Sequence, residues 1–455
     1  MSRQIFKGKL TKILFIAHQF PPISGSGSYR PAKFVKYLPQ FGWQPYVVTT
    51  QRTKSFAYDA ELLEDIPAST PILRIHSPFP KPLDKVMQWL AEHSPVLNED
   101  LKKTYDAEWN PKSKAKQVLR IFLKTLFIPL AIIQYPPLDR VVYWSLRIIY
   151  PAYKLVKKEQ IEIIFSTSAP WSSMLSGLIL KKLTGRHWVA DLRDPWTTEE
   201  LRYRTTSWRG VVDRYLERLF LRNADIVIGV TPNWVADLQC LAREEEVNGK
   251  YELITNGYDE TDFGNIPLPP LSVASGISIS HIGSMFQGGL EPILSSLEST
   301  NGKVKERLNF KLVGYLHPCD RENLEISSSR NSFSYHSSRT SHAQALQMMQ
   351  DSHVLLLSLP FEYYPGKVFE YMRLGRPVLA LVPEGPAANL ITEAQIGCVV
   401  NRADTDALSQ VFEDIALDYD GFVERYYRPN WEFIKNFERK NLTKKLAAIF
   451  DRVAA

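Results

Sequence analysis

Two glutamates separated by seven residues, Glu362 and Glu370, stand out in the stretch FEYYPGKVFEYMRLGRPVLAL at 361–381. The apolar runs HVLLLSL and PVLALV on either side are typical of buried strands. Carboxylates accept hydrogen bonds from sugar hydroxyls, so a pair held at this spacing could bind two parts of one polyhydroxylated ligand. An isolated pair of this kind is more often two solvated surface charges, and only its context favours the first interpretation.

The sequence predicts that a helix starts between the two glutamates. Pro365 suits the first turn, where its missing N–H costs nothing, and Gly375 suits the residue that ends the helix. The free amides of the first turn, including those of Gly366 and Val368, can bind a phosphate, and Lys367 adds a positive charge. The amino end of such a helix lies at the carboxyl edge of a parallel sheet, where open α/β sheets bind ligands. With the second glutamate at a ribose and the first at a sugar beyond the diphosphate, the pattern predicts a nucleotide-sugar site.

The predicted helix belongs to a pattern of strands and helices that recurs along the chain. Strand-like apolar runs alternate with helical ones, which predicts parallel sheets wrapped by crossover helices. The segment FGNIPLPPLSVASG is rich in Pro and small residues and indicates a hinge near 265–275. We therefore expect an α/β fold of two Rossmann-like domains, at 1–268 and 269–429, that face an interdomain cleft.

Two segments fit this scheme less simply. Residues 51–150 are too long for a single connection, so we expect an insertion in the N-terminal domain. The last helix, within 430–455, could pack on either domain, including back on the first. In the C-terminal domain the runs predicted as strands are ISISHIGS, NFKLVGY, SFSYHS, HVLLLSL and PVLALV.

The composition of the 455 residues is that of a folded soluble protein with a mild basic excess, a net charge of +6. This excess suits anionic partners such as phosphorylated metabolites, whereas the dispersed basic residues and the lack of a recognisable module argue against nucleic acid. Cys240, Cys319 and Cys398 are far apart and form neither a disulfide framework nor a zinc spacing. We therefore expect a cytoplasmic protein without a metal or other cofactor.

One basic and apolar segment, KSKAKQVLRIFLKTLFIPLAIIQYPPLDR at 112–140, complicates this reading. Arg120, Lys124 and Pro129 interrupt it, so it lacks the roughly 18 consecutive apolar residues of a spanning helix. Residues 112–135 fit peripheral contact with an anionic membrane, at its inner face, as well as they fit a core helix with solvated lysines.

Charged and small residues also follow strands of the N-terminal domain. Asp191, Arg193 and Asp194 in DLRDPW come after a buried strand and form either a cleft constellation or a self-contained ion-pair turn, of which we favour the cleft. The loop ISGSG after the first strand allows close approach of backbone, although a lone GxG is equally typical of an ordinary turn. Arg30 stands where a dinucleotide fingerprint has its third glycine, which argues against an NAD-dependent dehydrogenase.

The stretch around the two glutamates closely resembles the E-x7-E donor-site motif of family 4 glycosyltransferases, which have the GT-B architecture and retain the anomeric configuration. Its P-G-K-x-F-E-Y variant is common among bacterial members that build surface polysaccharides. KILFIAHQFPPISGSGSYRPAKFVKYL is similar to the family's opening strand and glycine-rich loop, and ADIVIGVT, ITNGYDETDF and SHIGS are similar to its later motifs. The resemblance covers nearly the whole chain apart from 51–150. It implies sugar transfer from a nucleoside-diphosphate sugar to a glycan or lipid-linked acceptor, without a metal.

The resemblance also implies roles for individual residues. On the donor side these are Glu370 at the ribose, Lys367 with the amides of Gly366 and Val368 at the diphosphate, Tyr363 and Tyr364 at the transferred sugar, Gly283 and Ser284 after the first C-terminal strand, and His336 near the base. At the reaction centre the resemblance implies Glu362, and their place after a buried strand adds Arg193 and Asp194. On the acceptor side of the cleft it implies Gly25, Ser26 and Gly27, to which the same placement adds Asp191.

Two departures from the family's pattern bear on activity. Relatives often carry an arginine and a lysine after the first C-terminal strand, whereas GSMFQGGLEP offers only Ser284 and Gln287. Each lost charge-assisted hydrogen bond would weaken diphosphate binding by roughly 1.5 to 3 kcal/mol. Many relatives also have a histidine near Arg193, and this chain has none there. A non-catalytic nucleotide-sugar-binding subunit of a polysaccharide assembly system and a GT-B sugar-nucleotide epimerase are therefore the alternative functions.

Overall fold

The computed structural model describes residues 10–51, 58–77, 138–139, 141–197, 208–242, 249–264, 273–337, 340–362 and 364–455. Within these residues the chain forms one parallel sheet of seven strands and a second of six. Helices connect successive strands and cover both sheets. The predicted α/β fold of two Rossmann-like domains is confirmed.

The N-terminal sheet has the strand order β3-β2-β1-β4-β5-β6-β7. Its strands are β1 (Thr11–Ile16), β2 (Trp43–Thr50), β3 (Ile72–Ile75), β4 (Ile163–Ser168), β5 (His187–Leu192), β6 (Ile226–Gly229) and β7 (Tyr251–Leu253). Its helices are α1 (Ser26–Tyr37), α2 (Val142–Glu159), α3 (Ser172–Thr184), α4 (Trp208–Asn223) and α5 (Pro232–Ala242).

The C-terminal sheet has the strand order β10-β9-β8-β11-β12-β13. Its strands are β8 (Ile277–Ile282), β9 (Leu308–Val313), β10 (Phe333–His336), β11 (Val354–Ser358), β12 (Val378–Leu381) and β13 (Gly397–Val400). The helices that follow β8 are α6 (Glu291–Ser299), α7 (Gly302–Arg307), α8 (Pro318–Ile326), α9 (His342–Gln350), α10 (Gly366–Leu374), α11 (Pro386–Ala394), α12 (Thr405–Leu417), α13 (Tyr419–Tyr426), α14 (Trp431–Lys435) and α15 (Arg439–Ala454).

The central strands are buried on both faces, which explains why their sequences are continuously apolar rather than alternating. Along β1, Leu14 and Ile16 belong to one core of the N-terminal domain, and Ile13 and Phe15 belong to the core on the opposite face. Every residue of β8 and β11 is likewise buried. The strands therefore form rigid supports, and the loops at their carboxyl ends are free to carry polar side chains.

The C-terminal helix α15 crosses from the second domain to the first. Leu446 and Phe450 of α15 lie in the same core as Phe34 of α1, and the ring of Phe450 lies 5.4 Å from that of Trp43. Before the crossing, the amide of Arg439 donates to the carbonyl of Tyr258 at 2.7 Å. This segment therefore connects the two domains a second time.

Some predicted boundaries differ from those observed. The predicted insertion at 51–150 starts too early, because β3 pairs in parallel with β2 and is part of the sheet. A sixth C-terminal strand, β13, was not predicted; it has four residues. Segment 112–135 and most of the hinge at 265–275 lie outside the described residues. In the part of the chain that the structure describes, every helix is too short or too polar to cross a membrane.

Candidate functional site

Helix α10 starts between the two glutamates, as predicted. Pro365 is not in its first turn but precedes it, with φ −68° and ψ 140°, and Gly366 is the first helical residue. The helix ends at Gly375, whose φ of 78° and ψ of 25° form a left-handed cap that suits a residue without a side chain. Because α10 connects the parallel strands β11 and β12, its amino end lies at the carboxyl edge of the sheet.

The amino end of α10 is open toward its surroundings. The amides of Gly366 and Lys367 have no hydrogen-bond acceptor among the described residues, and a Cβ atom added to Gly366 would meet no atom within 4 Å. The amide of Val368 is not free, because it donates to the carbonyl of Pro365 at 3.1 Å. The predicted anion site therefore has two available amides and not three, with a positive helix dipole behind them.

The amine of Lys367 lies beside the first strand of the C-terminal domain. Its Nζ lies 2.9 Å from Nε2 of His281, at the end of β8, and 3.8 Å from the place where a Cβ of Gly283 would be. Burial lowers the pKa of Lys367 to about 7. Near neutral pH this amine is therefore only partly protonated, and an anion beside it would favour the charged form.

His281 was not predicted as a site residue. It is buried, and its Nδ1 lies 3.1 Å from the carbonyl oxygen of Leu356, to which the tautomer with a proton on Nδ1 donates. Nε2 is then the acceptor for Lys367. Burial, followed by the charge of Lys367, lowers the pKa of His281 to about 3, so the ring stays neutral. The motif SHIGS contains this residue, but nothing in its spacing indicates the contact.

Glu370 lies on α10, one turn after Lys367, and its side chain is 25% exposed. Its Oε1 accepts a hydrogen bond from Nε2 of His342, on α9, at 2.8 Å. Glu362 lies on the loop before the helix and is exposed, and it has no hydrogen-bond or ion-pair partner among the described residues. Its side chain lies against Gly385, where an added Cβ would come within 2.9 Å of Cγ of Glu362. The absence of a side chain at Gly385 therefore leaves room for Glu362.

Two tyrosines, Tyr363 and Tyr364, follow Glu362 in the chain. Tyr363 lies outside the described residues. Tyr364 is buried in the core of the C-terminal domain, with its ring 6.0 Å from that of Phe369, rather than beside a sugar. The ring lies in the apolar layer under α10, and its contact with the transferred sugar stays a prediction.

The remaining donor-side residues lie at the carboxyl ends of other strands. Ser284 and Gln287 are exposed after β8, and the carbonyl of Ser284 lies 3.3 Å from Nε2 of His281. His336 is exposed at the end of β10, the outermost strand, where its carbonyl accepts from the amide of Gly314 at 2.9 Å. Both loops therefore share the sheet edge with α10.

Asp191 does not face the cleft as predicted. It is fully buried, and its carboxylate accepts hydrogen bonds from Nε and Nη2 of Arg30 at 3.0 and 2.8 Å and from the hydroxyl of Thr167 at 2.7 Å. Arg30 also donates to the carbonyls of Ile254 and Thr255, at 2.9 and 2.6 Å. This network joins α1 to β4, β5 and the end of β7, so Asp191 positions the scaffold.

Arg193 and Asp194 form the ion-pair turn that we did not favour. Nη2 of Arg193 lies 3.0 Å from Oδ2 of Asp194, the next residue. Arg193 is buried, whereas Asp194 is partly exposed. This contact fits the ion-pair turn, and the catalytic roles of both residues stay predictions.

The glycine-rich loop leads directly into α1. Gly25 has a φ of 144°, which favours glycine, and a Cβ on Gly27 would lie 2.1 Å from Oε1 of Gln19. Gly27 is therefore required for the packing of Gln19 within the same domain. Ser26 is the first residue of α1. Its side chain lies outside the part of the chain that the structure describes.

Residues 129–257 match the family model described as a glycosyl transferase 4-like domain. No curated protein matches the chain by sequence. Sucrose-phosphate synthase from Thermosynechococcus elongatus has a similar structure, with 14% identity, a TM-score of 0.62 and coverage of 97% of this chain and 98% of that one. Anabaena HepE in complex with UDP-glucose has 14% identity and a TM-score of 0.61, with coverage of 97% and 99%.

A lipopolysaccharide outer core galactosyltransferase, WaaB, is also similar in structure, with 12% identity, a TM-score of 0.57 and coverage of 97% of this chain and 100% of that one. At these identities the structures establish the fold, and the family model adds the class of domain. Residues 129–257 of the chain therefore match a glycosyl transferase 4-like domain, and the chain as a whole has the GT-B fold.

Proposed function

We propose that the protein transfers a sugar from a nucleoside-diphosphate sugar to a glycan acceptor with retention of the anomeric configuration. The observation that carries this proposal is the amino end of α10, where two free amides and the Lys367 amine lie at an open sheet edge. Glu370 is one turn away, at a distance that suits a ribose, and Glu362 is on the loop before the helix. The UDP-glucose in the structure of Anabaena HepE supports this class of donor.

The reaction then uses charge stabilisation rather than a covalent intermediate with the protein. The amides of Gly366 and Lys367 and the Lys367 amine would stabilise the charge that develops on the departing diphosphate. The acceptor hydroxyl would attack from the same face, forming the new glycosidic bond as the sugar–phosphate bond breaks, and its proton would go to the leaving phosphate oxygen. Glu362 would hold the transferred sugar. Closure of the two domains would exclude water that hydrolyses the donor.

For the acceptor we propose a lipid-linked glycan in the synthesis of a cell-surface polysaccharide or glycolipid. The name of the structurally similar WaaB, a lipopolysaccharide galactosyltransferase, supports this class. The basic and apolar segment 112–135 would then bring the protein to the inner, cytoplasmic face of an anionic membrane. Deletion of this segment should release the protein from anionic vesicles, and undiminished binding would contradict the membrane role.

The experiment for the transfer itself has two steps. Thermal shift with UDP-, GDP- and ADP-sugars identifies the donor, because a ligand that binds the folded form raises the melting temperature. Product analysis then compares wild type with Glu370→Ala and Glu362→Ala, each expected to lose at least about tenfold in kcat/KM, since each removes a hydrogen-bonding carboxylate. Glu306→Ala, at an exposed position of α7, is the control. Undiminished transfer in both test variants would contradict the proposed site.

A second candidate is a nucleotide-sugar-binding subunit without catalysis. It is favoured by the exposed Ser284 and Gln287, which replace cationic residues, and by the lowered pKa of Lys367, about 7. Donor binding without transfer or hydrolysis by the wild type, with several glycan acceptors, would favour this candidate. A changed sugar in the absence of any acceptor would instead indicate an epimerase.

A further inference from the structure

His342, at the start of α9, lies between carboxylates from two different parts of the chain. Its Nε2 lies 2.8 Å from Oε1 of Glu370, and its Nδ1 lies 3.9 Å from Oδ2 of Asp262. Asp262 belongs to the loop after β7, at the end of the N-terminal domain. The imidazole side chain is 21% exposed and Glu370 is 25% exposed, so solvent has limited access to this contact.

The N-terminal domain packs against the same imidazole. The ring of Tyr29, on α1, lies 5.3 Å from that of His342. Lys33, one turn later on α1, binds Asp262 at 2.6 Å and also pairs with Asp65 and Asp259. The Glu370 carboxylate is therefore connected through His342 and Asp262 to the first helix of the other domain.

Only the protonated form of His342 suits both of its neighbours. A neutral imidazole has one N–H, so either neutral tautomer turns the lone pair of one ring nitrogen toward a carboxylate. The imidazolium donates to Glu370 and presents a positive edge to Asp262. Burial alone would lower the pKa of His342, but the hydrogen bond and charge of Glu370 and the charge of Asp262 outweigh it, against the opposing charge of Lys33. The net shift raises the pKa.

We propose that His342 is a positioning residue for nucleotide recognition: it fixes Oε1 of Glu370, so that the remaining lone pairs of the carboxylate accept the ribose hydroxyls. This inference rests on the proposed function, and it adds a residue and a proton to the donor site. A carboxylate held by one charge-assisted hydrogen bond loses less rotamer freedom when the nucleotide binds. Because Nδ1 of the same imidazolium faces Asp262, which Lys33 of α1 binds, one positive charge connects the donor site to the other domain.

The proposal predicts a pH dependence with a definite sign. A raised pKa in the folded protein means that the stabilising charge is present at low pH and is lost as the pH rises through that pKa. The ratio of ribonucleotide affinity to 2′-deoxynucleotide affinity should therefore fall as the pH rises. The titration of Lys367, whose pKa is about 7, affects both nucleotides alike and cancels from this ratio. The charged and titratable groups that face His342 are Glu370, Asp262, Lys33 and Tyr29. The pKa values of Lys33 and Tyr29 are both raised, so neither group titrates near neutral pH.

The test compares a ribonucleotide with its 2′-deoxy form. Whichever of UDP, GDP and ADP binds wild type most tightly is titrated by calorimetry together with its 2′-deoxy counterpart, at several pH values between about 5.5 and 8.5. In His342→Gln we expect the ribonucleotide affinity to fall by about tenfold, the 2′-deoxy affinity to fall less, and the pH dependence of the ratio between the two affinities to flatten. His187→Gln is the matched control, because His187 is an exposed histidine 3.7 Å from Asp225, far along the chain from α10.

A structural role alone would give a different result. If His342→Gln lowers the melting temperature but keeps the ribose to deoxyribose ratio and the pH profile of wild type, the positioning role is wrong while the proposed function stands. If wild type binds none of the three nucleotides, the proposed function fails and the inference fails with it. A lowered ratio with a flattened profile, and an unchanged His187→Gln, would support the proposal.

Discussion

Two groups of charged residues lie at the carboxyl ends of the two sheets, and they differ in how completely they are satisfied. In the N-terminal domain, Asp191 and Arg30 are fully buried, and their hydrogen bonds go to each other, to a hydroxyl and to backbone carbonyls. In the C-terminal domain, the amides of Gly366 and Lys367 have no acceptor among the described residues, and the Lys367 amine contacts a neutral histidine.

The difference separates a scaffold from a binding site. A buried charge is stable only when it is paired, so the complete pairing of Asp191 leaves no capacity for a ligand. Open amides and a partly protonated amine gain a charged partner when an anion binds, so their free energy changes on binding. The sequence alone does not distinguish the scaffold group from the binding group, because each follows a buried strand.

The largest expected effect is a loss of stability in the N-terminal group. Asp191→Asn leaves the Arg30 guanidinium buried beside a neutral amide, and breaking a buried ion pair costs roughly 3 to 5 kcal/mol. We expect the free energy of unfolding, measured in urea, to fall by about that amount. The control is Glu159→Gln, in the partly exposed pair with Lys12 at 2.8 Å, which should change stability little. A stable Asp191→Asn variant that loses only transfer would return Asp191 to the cleft.

Sequence alone predicted most of the fold, because it depends on patterns that are local. Buried parallel strands produce continuous apolar runs, and Pro365 and Gly375 mark the ends of α10. The strands β3 and β13 were not predicted, because β3 is only partly buried and contains Arg74, and β13 starts with Gly397 and is buried at alternate residues only. The amino end of α10 was therefore predictable from residues within one turn of it.

Contacts between distant residues could not be predicted in the same way. Arg30 and Asp191 are 161 positions apart, and nothing in either local sequence indicates that α1 buries an arginine against β5. The pair of His342 with Glu370 depends on how α9 and α10 pack. The direction of Tyr364 depends on the turn into α10, which places its ring in the core instead of the cleft.

At Lys367 we expect a smaller effect, in which one substitution raises stability and weakens donor binding. Lys367→Met removes an amine that is fully charged in the unfolded chain but partly desolvated in the folded protein, so the ligand-free protein should melt at a higher temperature at pH 7. The same change removes a charge-assisted contact with the diphosphate, worth about 1.5 to 3 kcal/mol, or roughly ten- to a hundredfold in affinity. Thermal shift with and without the donor measures both.

The stability advantage of Lys367→Met should also depend on pH. The pKa of Lys367 is lowered from 10.5 to about 7, so the unfolded chain binds more protons between these values and wild type gains stability as the pH rises. The advantage of Lys367→Met should therefore shrink from pH 7 toward pH 10. Full donor binding by Lys367→Met, without a gain in melting temperature, would show that the C-terminal group does not differ from the N-terminal one in the way proposed.

The smallest expected effect tests whether Tyr364 belongs to the binding site or to the core beneath it. Tyr364→Phe keeps the ring that packs 6.0 Å from Phe369, so we expect kcat/KM to stay within about twofold of wild type and stability within about 0.5 kcal/mol. Tyr364→Ala leaves a cavity in that apolar layer and should cost about 3 to 5 kcal/mol in urea unfolding. A large loss of transfer in the phenylalanine variant, at full stability, would instead mean that the hydroxyl reaches the transferred sugar. The binding site would then include a residue whose ring is held by the core, in addition to the open amides of α10.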